Sequence, residues 1–285
     1  MKIAHLILAH AAPAQLSKLI GALEDEHAWF FVHLDRKADL NAFRFLLDRE
    51  RVTLVADRVD VGWGAYSIVE ATLRGFRTII GSGIDFGYVN LLSGADYPLQ
   101  SPSGIHDFFA NKAGKNFMEY YAVHNEWMEA IPRLTEYHLT NYNFPGKYLV
   151  QKWLNKLLPA RTMPAGLDPV GRSQWMSLTV DAVRYILEYL DGHPEVVRFF
   201  KLTWAPDEII FQTILYNSPF RSSLVNDNLR YIDWSKGQAS PKVLTEDDLD
   251  RMWSSGKLFA RKLDLARFPT VIAKLDRKIQ DHHYK

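Results

Sequence analysis

Trp204-Ala205-Pro206-Asp207-Glu208 sets two acids side by side ahead of an apolar run, Ile209–Leu215. A proline followed by acids is a helix-start signature. A carboxylate in that first turn can face a cleft and take the proton from an attacking hydroxyl. It can also do no more than favour the helix N-terminus through its dipole. Neighbouring positions on a helix diverge, so Asp207 should point elsewhere and Glu208 is the candidate base. Arg261-Lys262 follows the apolar Leu258-Phe259-Ala260. Fixed cations there would stabilise the charge that grows on a departing diphosphate, against the rival reading of a solvated surface pair. Asp35 closes Val32-His33-Leu34-Asp35, and Asp96 follows Tyr88–Leu92. Acids after strands touch the base or ribose of nucleotides, or simply cap a turn.

Other chemistries lack their residues. The chain has no cysteine, which removes thiol catalysis, a disulfide framework and a Cys-ligated zinc. Its histidines are scattered without metal-ligand spacing, and neither standard glycine-rich phosphate loop occurs. No Asp-x-Asp triplet follows a strand; Asp247-Asp248-Leu249-Asp250 reads as a helix start. A formal net charge of +1 gives no bulk argument for nucleic acid. With 285 residues and 47% hydrophobic content, a substantial core is available without staples. No apolar stretch approaches the roughly 18 residues of a membrane span, and the N-terminal run is broken by His5 and His10.

The elements that must position these residues follow from periodicity. Strands are expected at 3–9, 28–34, 52–55 and 88–92, alternating with helices at 14–23, 40–47 and 67–80. That rhythm predicts a parallel sheet flanked by helices, with ligands at the carboxyl ends of its strands. Residues 120–165 are rich in Tyr, Trp, His, Asn and Pro. They read as irregular helices and loops inserted on the acceptor side. Further on, a strand at 173–178, helices at 180–190 and 207–215, a strand at 229–234 and a short helix at 246–252 are expected. Residues 259–262 lead into the tail, and 274–285 form a polar, fraying helix. The expected organisation is a single domain over 1–285. It comprises a nucleotide-binding half at 1–115, an acceptor and catalytic half at 116–265 and a helical tail at 266–285.

Several pieces in this order resemble one glycosyltransferase family, that of the core-2/I-branching β-1,6-N-acetylglucosaminyltransferases and peptide O-xylosyltransferases. They are Leu6-Ile7-Leu8-Ala9-His10, Val32–Asp35, Trp63-Gly64-Ala65-Tyr66-Ser67, Asn90–Pro98 (NLLSGADYP), Ser173-Gln174-Trp175, Ala205–Glu208, Asn226–Trp234 (NDNLRYIDW), Ser240-Pro241 and Phe259–Lys262. Together they span residue 2 to about 265. The Trp-Gly, Ser-x-x-Asp-Tyr-Pro and Phe-Ala-Arg-Lys pieces are nearer the xylosyltransferase branch. The resemblance implies a GT-A-like, Rossmann-type α/β sheet and an inverting transfer from a UDP-sugar to an acceptor hydroxyl, with no metal ion and no other cofactor. It implies Glu208 as base and Arg261 and Lys262 on the diphosphate. Leu8, Asp35, Val61, Gly62, Trp63, Gln174, Trp175 and Ser240 would bind the donor, and Asp96, Tyr231 and Asp233 would line the acceptor or sugar pocket. Xylosyltransferases carry an acid where Gln174 stands, which leaves the donor open between UDP-GlcNAc and UDP-xylose.

The implied acceptor is a glycan or lipid-linked oligosaccharide, with no nucleic-acid partner. The expected location is cytoplasmic, with peripheral contact to the inner membrane left open. The rival function is a sugar-nucleotide-binding protein without transfer activity. It would need Asp35, Trp63 and the basic pair but not Glu208. A glycoside hydrolase would need two carboxylates flanking the scissile bond, and only Glu208 has an acidic neighbour of plausible type.

Overall fold

The computed structural model describes residues 1–281. The end of the expected tail helix, 282–285, lies outside the described residues. Two compact units are present. The first comprises Met1–Ala56, Ile84–Gly114 and Leu229–Lys285; the second comprises Asp57–Gly83 and Lys115–Asn228. Both are discontinuous in sequence, so residues 57–83 belong with 115–228 and the C-terminal segment belongs with the N-terminal one. Among the described residues, no helix is long and apolar enough to cross a membrane.

In the first unit, β1 (Ile3–Ala9), β2 (Ala28–Leu34), β3 (Val52–Leu54) and β4 (Tyr88–Ser93) form parallel pairs in the order β3-β2-β1-β4. Their near-continuous apolar runs suit a sheet covered on both faces, and Ile3, Leu6, Ile7, Phe30, Val32, Leu91 and Leu92 are buried. α1 (Pro13–Leu23) buries Leu16, Leu19, Ile20 and Leu23 on one stripe. The expected helix at 40–47 is a 3-10 helix at Leu40–Leu46, started by the Asp39 carboxylate accepting from the Asn41 N–H.

Three elements of this unit were not legible. β5 (Asp96–Pro98) and α3 (Pro102–Asn111) follow β4 directly, and β10 (Phe259–Arg261) is the centre of a small second sheet. There β10 runs antiparallel to β5 and parallel to β9 (Arg230–Ile232), which is shorter than the expected strand at 229–234. Strands of three residues are too short to show a period. The unit ends with α9 (Leu249–Ser254), entered through a 3-10 turn at Glu246–Asp248, and α10 (Pro269–Asp281).

In the second unit, β6 (Asn116–Ala122) pairs antiparallel with β7 (Val170–Thr179) and parallel with β8 (Leu224–Asn226). α2 (Tyr66–Gly81) and α6 (Val180–Gly192) pack their apolar stripes here. The stretch expected to hold irregular helices and loops contains two helices, α4 (Ile131–Thr135) and α5 (Lys147–Leu157). α7 (Pro194–Lys201) was also not anticipated. The predicted helix at 207–215 divides in two. Pro206–Glu208 is a 3-10 turn, Ile209 breaks the helical dihedrals at φ −130°, and α8 runs Ile210–Tyr216.

Candidate active site

The break at Ile209 removes Glu208 from the first turn of α8, so the simple dipole reading of that acid does not apply. What holds Glu208 is a stack of rings and cations in the second unit. Arg133 Nη1 donates to the Glu208 carboxylate at 2.6 Å. Its guanidinium lies 4.8 Å from the Trp127 ring and 4.4 Å from the Trp204 ring. Trp204 in turn meets Trp63 edge to face, with centroids 5.6 Å apart. The indole faces restrict the guanidinium, and the guanidinium restricts the carboxylate. The Glu208 side chain keeps 32% of its surface exposed, so the restrained carboxylate still meets solvent.

Two glycines permit this packing. Gly64 has φ +67°, and a Cβ there would lie 2.8 Å from Trp204 Nε1. Its carbonyl accepts from the Ala205 N–H at 2.8 Å, which ties Trp63-Gly64 to the turn carrying Glu208. Gly171 on β7 lies under the same turn. A Cβ there would fall on the Glu208 carbonyl oxygen and 2.9 Å from Ile209 Cα. Backbone atoms cannot give way as a flexible side-chain tip can, so β7 requires glycine at this point.

Asp207 goes the other way, as expected for a neighbouring position. It is buried, and among the described residues its Oδ1 has no hydrogen-bond partner. Burial pushes its carboxyl up to about 7, and the Glu208 charge beside it adds to the rise. The two adjacent acids thus differ in setting: Asp207 is buried and takes up a proton far more readily than an ordinary aspartate, while Glu208 meets solvent.

The remaining second-unit candidates sit around this cluster or on β7. Trp63 is 66% exposed. Its nearest described ring is Trp204, so it accompanies the Glu208 cluster rather than sharing a unit with Asp35. Val61 and Gly62 are half-buried, and the Gly62 N–H donates to Ser67 Oγ at 2.8 Å. On β7, Gln174 is half-buried and Trp175 is buried. Ser173 beside them is fastened by Gln212 Nε2 to its carbonyl at 2.5 Å and by Asn228 Nδ2 to its hydroxyl at 3.2 Å.

In the first unit the cations are built differently. The β10–β5 ladder pairs Arg261 with Asp96. Arg261 Nη1 donates to Asp96 Oδ1 at 2.7 Å and to Ser93 Oγ at 2.5 Å. Ser93 donates its N–H to Asp96 Oδ2 at 3.0 Å and its hydroxyl to Oδ1 at 2.9 Å. Asp96 is 0% exposed. Expected to line the acceptor or sugar pocket, Asp96 here has an enclosed carboxylate whose contacts are Arg261 and Ser93, and it holds the cation.

Gln15, absent from the sequence candidates, secures the chain beyond the pair. Its buried amide donates to the carbonyls of Gly94 and Leu263, both at 3.0 Å, and accepts from the Leu265 N–H at 2.8 Å. The Lys262 backbone is fixed from the other side, its carbonyl accepting from the Leu244 N–H at 2.9 Å. Among the described residues no carboxylate pairs with the Lys262 ammonium. Arg261 and Lys262 are both half-buried, which does not match a fully solvated surface pair.

Asp35 follows the carboxyl end of β2, where the Ala9 carbonyl receives its N–H at 2.8 Å. Its buried carboxylate accepts from the Lys37 N–H at 2.8 Å and pairs with Lys37 Nζ at 3.1 Å. Those contacts are those of a turn cap, one of the two roles open from sequence. Leu8 is the half-buried position of β1, and its carbonyl accepts from the Gly94 N–H at 3.0 Å. Tyr231 lies opposite Ala260 on β9, and burial raises its hydroxyl above the usual tyrosine value. Asp233 accepts from the Ser235 N–H at 2.8 Å, and the bonds from Ser235 hold its carboxyl below the usual range. Ser240 is exposed in the loop that follows. Lys242, another residue not singled out from sequence, closes that loop with an ion pair to the buried Asp248 at 2.7 Å.

A buried polar chain underlies the strands of this unit. Arg230 Nη2 donates to Asn90 Oδ1 and to the Leu91 carbonyl, both at 2.6 Å, and Asn90 Nδ2 lies 3.2 Å from His5 Nδ1. Burial drives the His5 imidazole down to about 3, helped by the His106 and Arg230 charges. It is therefore neutral and structural, as is Asn90 within the Asn90–Pro98 motif.

The second unit thus presents a braced carboxylate at Glu208, and the first presents the braced Arg261 guanidinium with Lys262 beside it. The profile of the Core-2/I-Branching enzyme matches residues 3–253. The chain belongs to that family, the glycosyltransferase family its motifs resemble. Similar relatives include Xylosyltransferase 2 of Mus musculus, 28% identical over 249 residues, covering 83% of this chain and 27% of that protein. Another is the Xylosyltransferase of Ciona intestinalis, 21% identical over 313 residues, covering 98% and 34%. The chain therefore spans about a quarter to a third of the length of these relatives. Among solved structures, the galactosyltransferase LgtC with donor and acceptor sugar analogues is 11% identical, covering 98% of this chain and 95% of that one, with a TM-score of 0.45. Mouse Xyloside xylosyltransferase 1 is 12% identical, covering 90% and 97%, with a TM-score of 0.40.

Proposed function

We propose that this chain transfers a sugar, GlcNAc or xylose, from a UDP-sugar to a hydroxyl of a glycan or lipid-linked oligosaccharide, with inversion and without a metal ion. Glu208 takes the proton from the attacking hydroxyl. Arg261 and Lys262 receive the charge that develops on the departing diphosphate, the work a divalent cation does elsewhere. Inversion follows from a single displacement in which the hydroxyl attacks the face opposite the leaving UDP. The observation that carries this reading is Glu208: half-exposed, held by an arginine stacked on two indoles, beside an acid that is buried. A protein that only bound the nucleotide would have no use for so constrained a carboxylate. The reading is tested by measuring UDP release from UDP-GlcNAc and UDP-xylose. Slow release in water, acceleration by an acceptor glycan, survival in EDTA and loss in Glu208→Gln are expected. UDP-sugar binding with no turnover in any acceptor screen would favour the binding-protein alternative, and activity restored only by manganese would remove the cationic mechanism.

A further inference from the structure

α5 is amphipathic in an unusual sense: its amides Gln151 and Asn155 are half-buried, while most of its apolar residues are exposed. No residue of Lys147–Leu157 is buried. The helix is fastened by amides. Asn155 accepts from the Tyr137 N–H at 2.6 Å and donates to the Tyr137 carbonyl at 3.0 Å, and Gln151 accepts from the Leu139 N–H at 2.9 Å. On the outer side Leu149, Trp153 and Leu157 recur at every fourth position and form one stripe. They are 61%, 51% and 72% exposed. A stripe of this kind normally packs into a core.

Its charges are one-sided. No acid occurs between Glu136 and Asp168, whereas the helix carries Lys147, Lys152 and Lys156. Lys152 and Lys156 are exposed beside the stripe, and the Lys156 ammonium lies 5.4 Å from the Trp153 ring. The loop leading into the helix adds the exposed rings of Tyr142 and Phe144. In a chain whose net charge is +1, a purely basic, outward-facing apolar helix is a local departure.

We propose that α5 is an interfacial anchor that lays Leu149, Trp153 and Leu157 into an anionic lipid surface. Apolar side chains enter the headgroup boundary while flanking lysines meet the phosphates, the physics of helices that lie in the membrane plane. Lysine stems also reach along the apolar stripe and keep their ammonium groups at the surface. The inference does not depend on the catalytic reading, because donor turnover and vesicle binding are separate measurements.

Co-sedimentation of the full chain with vesicles tests it. Phosphatidylcholine alone is compared with an equal mixture of phosphatidylcholine and phosphatidylglycerol. Binding to the anionic vesicles is expected to be tighter by roughly tenfold or more, from the two exposed lysines, and to weaken as salt is raised. Leu149→Glu with Trp153→Glu should abolish it, and Lys152→Glu with Lys156→Glu should remove the preference for anionic lipid. Both pairs are solvent-facing, so unchanged melting should accompany them. Absence of sedimentation with anionic vesicles, or equal binding by either pair of variants, overturns the proposal. So does a concentration-dependent dimer of the free protein that the Leu149/Trp153 change dissolves, since a second copy would then cover the stripe.

Discussion

Arg261 and Glu208 are both restrained by an oppositely charged side chain, yet the two restraints are built from different materials. Arg261 sits on a strand, its guanidinium is bonded to a carboxylate with no exposure, and Gln15 fixes the chain that follows. Glu208 sits on a 3-10 turn, and its partner Arg133 is held by the faces of two indoles. The first arrangement resists displacement, because separating it leaves a buried charge uncompensated. The second holds a half-exposed carboxylate by stacking, which permits small adjustments. Under the proposed mechanism, charge on a leaving group is stabilised best by dipoles and cations that need no reorganisation. A base must accept a proton and later release it, and a less enclosed setting suits that exchange.

The comparison can be broken most severely at Glu208. Glu208→Gln keeps the shape and the Arg133 contact but removes the proton acceptor. It should lower kcat by roughly 10²–10⁴, with UDP affinity by calorimetry and the melting temperature little changed. Near-normal turnover would reassign the base. Asp96→Asn should act on stability instead. Removing one partner of a buried pair typically costs about 3–5 kcal/mol, so a large drop in the urea midpoint is expected, with UDP binding weakened in whatever remains folded. A variant as stable as the parent would mean that the anchor is dispensable.

Asp207 sharpens the contrast through pH. Its folded value, raised to about 7 from 3.8, means that the native state holds a proton the unfolded chain releases. The associated stability is fully present below about pH 4 and is lost as pH rises through 7. Asp207→Asn should remove that dependence and gain stability over the parent at pH 8, on the order of a few kcal/mol at most. Because Glu208 contributes to the shift, Glu208→Gln should move the inflection to lower pH. An unchanged stability profile in Asp207→Asn would show that folding does not raise the proton affinity of this acid. Gly171→Ala acts on the backbone beneath the turn and should also lower the melting temperature, since its Cβ would fall on the Glu208 carbonyl oxygen. The added methyl presses on the backbone of the turn, shifting Glu208 with a roughly tenfold or greater fall in kcat and little change in UDP affinity. Equal losses in both would mean that the strand, rather than the turn, had moved.

Much of the first unit could be read from periodicity. β1, β2 and β4 are seven, seven and six residues long, long enough for apolar runs to stand out. Arg261 and Lys262 stood out as a basic pair after an apolar run, but nothing local separated them from a solvated surface pair, because β10 spans three residues and its partner Asp96 lies far away in sequence. Arg133 left no local signal at all: its partner is 75 positions away and its aromatic neighbours sit in a stretch that looked irregular. Gln15 was hidden because a buried amide on an amphipathic helix reads as a polar position. Asp96 could be located after its strand, but whether an acid there faces a ligand or a cation depends on tertiary pairing.

The central claim is that Glu208 serves the acceptor while Lys262 and Arg261 serve the leaving group. Turnover of Glu208→Gln and Lys262→Ala with a donor carrying a better leaving group, set against the ordinary UDP-sugar, separates the two roles. Lys262→Ala loses help that matters only while negative charge builds on the diphosphate, so the activated donor should restore much of its kcat. Glu208→Gln should stay impaired with both donors. Equal rescue of the two variants, or rescue of Glu208→Gln alone, would contradict the account.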